Sequence, residues 1–318
     1  MNKNIKIIII GFGSIGQRHW RNLQALGFRN VWVYDADKTK TAVKDLKVLP
    51  KLSEKVLVQF DVAFICSPNN LHIKHALMAA QAGCDLFIEK PLSHNLKGVN
   101  RLLAICQRKK LVNMVACNMR FHPCLKFIKS HIAKGKLGKI YTLTYEFGYY
   151  LPWWRPGQDY RKNYAAKKST GGGVILDSGI HEIDMLRWLN NFEKIESSKF
   201  IFGKISDLEI ETDDSFFAVL RFSNKVLGLM RADYLQRKYT HRIKVVGEKG
   251  NLEWDRDENI VWLKQEKKDQ KSFEAKNYDL NDMYIDEVEY FFDCVAKRKE
   301  TFNNIKNAAI SVRYLLNR

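Results

Sequence analysis

Four isoleucines, Ile7–Ile10, run directly into Gly11-Phe12-Gly13-Ser14-Ile15-Gly16, and few features restrict a chain more. The apolar run reads as a buried strand. Residues 14–26 then repeat Ile15, His19, Leu23 and Leu26 at helical spacing, and Gly27 is a helix stop. A second strand at 31–34 ends at Asp35, nineteen residues after Gly16. Strand, glycine turn, helix, strand and acid in this order are what a dinucleotide fold requires. The glycines allow the turn, bring backbone close to a pyrophosphate and let the helix sit near the sheet. The amides that open the helix then face the phosphates. A carboxylate at Asp35 accepts from both ribose hydroxyls and repels a 2′-phosphate, so NAD is favoured. Lys38 and Lys40 soften that repulsion and leave NADP open.

The alternation continues to about residue 120. Strands are expected at 62–66, 86–89 and 112–117, and helices at 70–81 and 96–109. This predicts a doubly wound parallel α/β sheet of Rossmann type covered on both faces. Beyond it the rhythm changes. A helix at 124–133 and an aromatic strand at 140–150 lead to an irregular stretch, 151–170, too long for a connector without a role. A helix is expected at 177–189, then strands at 196–205, 215–222, 226–234, 242–246, 251–254 and 260–263. The charged run 264–276 reads as an exposed hairpin or loop, and helices at 283–297 and 305–316 close the chain. The organisation predicted is a Rossmann domain over 1–120 and an α+β domain over 121–318, built on a mostly antiparallel open sheet.

Composition narrows the class. Glycine (18) and proline (6) are too few for collagen or low complexity. No apolar run approaches the ~20 residues of a membrane helix, and no leader pattern is visible, so the cytoplasm is the expected compartment. Six cysteines, at 66, 84, 106, 117, 124 and 294, form no CxxC pair and read as reduced core thiols. The net charge of +18 is concentrated in the first 120 residues, with 19 Lys/Arg against 7 Asp/Glu. It suits an anionic cofactor or substrate. No nucleic-acid-binding signature accompanies it, so neither nucleic acid nor membrane is an expected partner.

Three further strings stand where an oxidoreductase needs them: Ser67-Pro68-Asn69-Asn70-Leu71-His72 after the third expected strand, Glu89-Lys90-Pro91 after the fourth, and Asp177-Ser-Gly-Ile-His181 following Gly171-Gly172-Gly173. With these the chain resembles the Gfo/Idh/MocA family of sugar-type oxidoreductases over essentially its whole length. The resemblance implies an NAD(P)-dependent dehydrogenase acting on a secondary alcohol of a sugar or sugar derivative. It makes Lys90, Asp177 and His181 the catalytic set, with His181 as general base, Asp177 as its orienting or substrate-binding partner, and Lys90 on the reacting oxygen. Asp177 and His181 are four apart, so one helix face is expected to present both. The cofactor contacts expected are Gly11, Phe12, Gly13, Ser14, Ile15, Gly16, Asp35, Ser67, Pro68, Asn69, His72, Glu89, Lys90 and Asn118. The resemblance also suggests a cis peptide before Pro91. His19 and Trp20 are expected to pack the first helix. One departure is Cys117-Asn118 in a segment that usually carries Gly/Gln before Arg120 and Pro123.

The stretch 149–164 mixes Tyr, Trp, Arg and Lys ahead of the expected catalytic helix. Aromatic faces suit sugar rings or bases, and guanidinium suits carboxylate or phosphate. Arg120, Arg155, Tyr160, Arg161 and Tyr164 are therefore expected at the substrate together with Lys90, Asp177 and His181. A similar stretch occurs in family members of surface-polysaccharide metabolism, which implies an anionic or nucleotide-linked sugar. The same stretch also reads as an oligomer-contact arm. No metal is expected, because the Asp/His pair has no third ligand in sight. The family's open sheets imply a homodimer or homotetramer. The rival reading is a non-catalytic dinucleotide sensor of the same fold, against which the intact Lys90/Asp177/His181 set stands.

Overall fold

In the computed structural model, which describes residues 3–43 and 45–317, the chain forms two compact units. One runs up to Asn118 and takes in Asn281–Arg313; the other comprises Met119–Leu280 and Tyr314 onward. The first unit holds strands β1 (Ile7–Ile10), β2 (Val31–Tyr34), β3 (Lys47–Val48), β4 (Val62–Ile65), β5 (Asp85–Ile88) and β6 (Asn113–Val115). They pair in parallel in the order β3-β2-β1-β4-β5-β6. Helices α1 (Ser14–Ala25), α2 (Glu54–Leu57), α3 (His72–Ala82) and α4 (Val99–Arg108) lie between them. Every residue of β1, β4 and β5 is buried, as a parallel strand covered on both faces must be. The strand order reverses between β1 and β4, where such sheets open a crevice at their carboxyl ends.

Gly11 fixes that reversal point. Its φ is +102°, and a Cβ there would stand 2.5 Å from the backbone of Cys66 and Ser67. Only glycine lets the end of β1 approach the end of β4 this closely.

The second unit contains α5 (Pro123–Ala133), β7 (Ile140–Tyr150), α6 (Val174–Asp177), α7 (Gly179–Leu189), β8 (Ile195–Gly203), β9 (Ser215–Phe222), β10 (Leu227–Asp233), β11 (Leu235–Gly247), β12 (Gly250–Asp255), β13 (Ile260–Gln265) and β14 (Lys268–Glu274). Its eight strands follow the order β14-β13-β12-β11-β7-β10-β9-β8. All neighbours are antiparallel except β7 and β10. Along β9 burial alternates, so one face is covered and the other open. The expected mostly antiparallel open sheet is thus present, and the charged run after Leu263 pairs as the β13–β14 hairpin. β11 begins seven residues before its expected start. Its early part carries Arg237 and Lys238 and is irregular between Leu235 and Thr240, which hides it from an alternation test.

Two helices complete the chain, α8 (Asp282–Lys297) and α9 (Ile305–Leu316). The division in chain order at 120 puts α8 in the second domain, but α8 belongs to the first unit. The reason is an aromatic ridge: Phe292 packs on Phe28 with centroids 4.4 Å apart, and Phe291 packs on Phe87 at 5.4 Å. Just after α8, Asn303 exchanges backbone and side-chain hydrogen bonds with Val115, covering the edge of β6.

Beneath the second sheet His122 and His241 both pack edge-on against Trp254, and the Tyr145 hydroxyl lies 2.5 Å from His241 Nε2. Burial pushes the His241 pKa down to about 3 and that of His122 down to about 4. Unfolded imidazoles protonate near 6.5, so stability from these groups is fully present above that pH and is lost as pH falls toward 4. Each contributes a slope approaching about 1.4 kcal/mol per pH unit. Melting temperatures followed from pH 7.5 to 4.5 will fall less steeply in His241→Gln than in the unsubstituted protein.

Candidate active site

The nucleotide side is built on the carboxyl ends of β1, β2, β4 and β5. α1 opens at Gly13 with no side-chain cap and no acid in its first turn, so its leading amides are open to an anion. A Cβ at Gly13 would meet nothing within 4 Å, which leaves space in front of that backbone. Ser14 is exposed, Ile15 half-buried and Gly16 buried against the Gly11 carbonyl. Asp35 accepts from the Phe12 amide at 2.7 Å and the Asp37 amide at 2.9 Å. Each of its oxygens keeps a further lone pair for a ribose hydroxyl. Phe12 donates its amide to Asp35, and its ring is buried edge-on to Trp20. These residues fit a dinucleotide.

The Ser-Pro-Asn and Glu-Lys-Pro strings are tied together. His72 is buried with Nδ1 2.7 Å from the Pro91 carbonyl and Nε2 2.7 Å from the Ser67 carbonyl. It was expected at the cofactor, but both ring nitrogens are engaged by backbone. Burial lowers its pKa, while the two carbonyls and the Glu89 charge oppose that shift. The Ser67 hydroxyl lies 2.9 Å from His75 Nδ1; burial lowers the His75 pKa to about 4, so that imidazole is neutral at pH 7. Pro68 leads into a short turn at Asn69–Leu71, and Asn69 is buried there. The Lys90–Pro91 peptide is cis, as the family resemblance implies. Lys90 itself is half-buried, its amide donating to Glu89 Oε2 at 3.2 Å. Glu89 Oε1 stands 2.6 Å from His19 Nε2. Asn118, expected at the cofactor, is buried and donates to the Met283 sulfur at 3.5 Å.

On the second unit the glycine run lets the chain fold under Tyr164. A Cβ at Gly172 would stand 2.3 Å from the Tyr164 carbonyl. The expected single helix is two: Asp177 ends α6, and the chain bends at Ser178 before α7 begins. Asp177 and His181 therefore do not share one helix. The His181 amide donates to the Ser178 carbonyl at 2.8 Å, and its half-buried side chain stands in the first turn of α7. Asp177 gathers three phenols: Tyr164 donates to Oδ1 at 2.5 Å, and Tyr149 and Tyr234 each reach Oδ2 at 3.4 Å. Burial, then neighbouring acidic groups including Asp177, raises the pKa of Tyr149 and Tyr234 well above the usual phenol value, so both remain neutral donors. Tyr149 and Tyr234 were not expected at this carboxylate. Each ends or follows a strand, and only pairing of β7 with β11 and β10 brings them to it.

Two of the arginines expected at the substrate, Arg120 and Arg161, are committed to carboxylates. Arg120 is buried and gives Nε and a terminal nitrogen to Asp184 at 2.8 and 2.5 Å, bracing α7. Arg161 is exposed and pairs with Asp159 and Glu209. The Tyr160 hydroxyl accepts from the Glu209 amide at 3.2 Å. Arg155 lies over the Tyr164 ring, 6.0 Å from its centroid. Among the described residues no group of three or more His, Cys, Asp or Glu side chains is arranged to hold a metal ion, and no helix is long and apolar enough to cross a membrane.

Residues 5–117 match the oxidoreductase family with an NAD-binding Rossmann fold, and residues 125–253 match the GFO/IDH/MocA C-terminal domain. A myo-inositol 2-dehydrogenase of Thermotoga maritima is 29% identical over 315 residues, covering 90% of this chain and 87% of that protein. A levoglucosan dehydrogenase of Pseudarthrobacter phenanthrenivorans is 29% identical over 192 residues, 54% of this chain and 48% of its own. A levoglucosan dehydrogenase structure in complex with NADH superposes with a TM-score of 0.84 over 98% of this chain and 95% of that one; at 18% identity this likeness is one of fold.

In Asp35→Asn one oxygen that receives an amide becomes a donor, which frees the Phe12 loop as well as weakening the ribose contact. NAD affinity measured by calorimetry will fall about tenfold, equivalent to ~1.4 kcal/mol. Two matched halves, one on each unit, and the Glu-Lys-Pro and Asp-x-x-x-His strings in their expected order make this chain a member of the Gfo/Idh/MocA family of NAD-binding oxidoreductases.

Proposed function

We propose that the protein is a dehydrogenase for a secondary alcohol of an anionic or nucleotide-linked sugar, with Lys90, Asp177 and His181 carrying the reaction. NAD supplies the hydride acceptor. As the alcohol carbon becomes a carbonyl, the imidazole of His181 takes the hydroxyl proton and the Lys90 ammonium offsets the charge developing on oxygen. Asp177, held by Tyr149, Tyr164 and Tyr234, fixes the sugar or the imidazole. The relatives' names support a sugar-type substrate.

The anionic character rests on one observation. The guanidinium groups of Arg155, Arg237 and Arg256 lie over the rings of Tyr164, Tyr150 and Tyr239, at 6.0, 3.6 and 4.5 Å, and none of the three pairs with a carboxylate among the described residues. Trp154 stacks parallel to Tyr239 in the same cluster. Guanidinium N–H groups held on aromatic faces and left without an acid are suited to phosphate or carboxylate. Arg161, neutralised by two carboxylates, is not. The six thiols, all buried and none in a disulfide, suit the cytoplasm.

A homodimer joined through the outer face of the second sheet fits this reading. Ile201 is 79% exposed and Val219 53%, and Phe217, Leu227 and Leu229 lie on paired positions of β8, β9 and β10. A contiguous apolar face of this kind marks a protein contact. Light scattering on Val219→Lys will report half the mass of the unsubstituted protein.

The test of function is reduced-nicotinamide absorbance with NAD and a panel of UDP-sugars, sugar acids, myo-inositol and free hexoses. Turnover will be fastest with an anionic member. With it Arg237→Ala and Arg256→Ala will raise KM about tenfold, a loss near 1.4 kcal/mol. Lys90→Ala and His181→Ala will lower kcat by roughly 10²–10⁴. Preference for neutral sugars, with the arginine variants unaffected, removes the anionic reading.

A further inference from the structure

We infer that His19 is a positioning residue for Lys90, acting through Glu89; this rests on the reaction assigned above to Lys90. His19 is fully buried on α1 with Phe64, Phe87 and Tyr284 around its ring, at centroid distances of 5.4, 5.1 and 6.4 Å. Phe or Leu would fill such a place without polar atoms to satisfy. The imidazole instead leaves Nδ1 buried with no partner and directs Nε2 at Glu89 Oε1, 2.6 Å away. A residue present for packing alone would not carry that unpaired nitrogen.

Glu89 needs the contact. Its carboxylate is buried at the end of β5, and burial pushes its pKa up; the His19 hydrogen bond, then the charges of His19, Lys90 and His72, bring it below the ordinary value. The ionised carboxylate spends Oε1 on His19 and Oε2 on the Lys90 amide. One residue further on, His72 holds the Pro91 carbonyl. The backbone of Lys90 is thus held on its amide side by a carboxylate that His19 fixes, and on its carbonyl side by His72. Without the His19 donor the carboxylate loses its orientation, takes up a proton more readily and releases the amide. The half-buried amine then changes both place and charge environment.

The full-length protein with NAD is labelled with acetic anhydride at pH 7, and acetylation of Lys90 is followed by peptide mass spectrometry. Its rate will change at least threefold in His19→Phe, which keeps the ring volume but no donor, and return to within a factor of 1.5 in His19→Gln, whose amide can reach the same oxygen. Turnover with the best sugar of the panel will fall about tenfold in kcat with KM for NAD unchanged, and Gln will restore it. If His19→Phe does not fold, Glu89→Gln gives the same labelling change. Labelling as in the unsubstituted protein for both Phe and Gln, or equal kcat losses in both, overturns the inference. Lys90→Ala inactive with His19→Phe at full kcat overturns this inference alone; Lys90→Ala at full kcat overturns the reaction assigned to Lys90 as well.

Discussion

The end of β1 touches the end of β4 through a position with room for hydrogen only. A methyl group on Gly11 would enter the backbone at Cys66 and Ser67, so the glycine loop and the Ser-Pro-Asn string are fixed together. From that contact the rest of the nucleotide side follows. The Ser67 carbonyl lies on His72, His72 reaches the Pro91 carbonyl, and Pro91 follows Lys90. Asp35 closes the other side by accepting the Phe12 amide. Two side chains, the Asp35 carboxylate and the His72 imidazole, thus tie main-chain groups of neighbouring loops together at the sheet's carboxyl edge.

Much of the fold was legible because hydrophobic period reports which face of an element is covered. β9 and α9 lie where alternation and helical spacing placed them, at Ser215–Phe222 and Ile305–Leu316. Period does not report what does the covering. Phe291 and Phe292 mark α8 as amphipathic in the sequence, but nothing in that pattern names Phe28 and Phe87 as their partners, so the return of α8 to the first unit was hidden. The break at Ser178 was hidden for another reason. Residues 177–189 read as one helix because the lone Gly179 is a weak break signal, and the turn before it, α6, has its start set from a distance, where Asp213 takes the Val174 amide on its carbonyl and the Ile175 amide on its carboxylate.

The candidate site shows the same division. Motif residues could be found because each sits at the end of an element, where a short string carries the information. Arg120 sits in such a string too, yet its charge goes to Asp184, sixty-four residues away. Tyr149 and Tyr234 carry no string at all. Each is an aromatic residue among many, and they converge on Asp177 because parallel pairing of β7 with β10 sets Gly148 beside Asp233, one residue before each tyrosine. A polar partner seventy or more residues distant leaves no local periodicity, so His19 reads as one more member of an apolar helix face until Glu89 is seen beside it.

Charge, finally, separates structural from available cations better than composition can. The chain carries an excess of eighteen positive charges, and most arginines near the aromatic stretch look equivalent in the sequence. The structure sorts them. Arg120 is buried on a carboxylate, and Arg161 is exposed between two; in both the charge is already balanced. Arg237 and Arg256 lie on tyrosine faces, which attract a cation weakly and leave its in-plane N–H groups undirected. A ring quadrupole cannot satisfy five donors, whereas a phosphate or carboxylate can take two of them at once. The guanidinium groups that the protein leaves on rings are the ones with N–H groups still to give, and the stretch that first drew attention contains only one of them, Arg155.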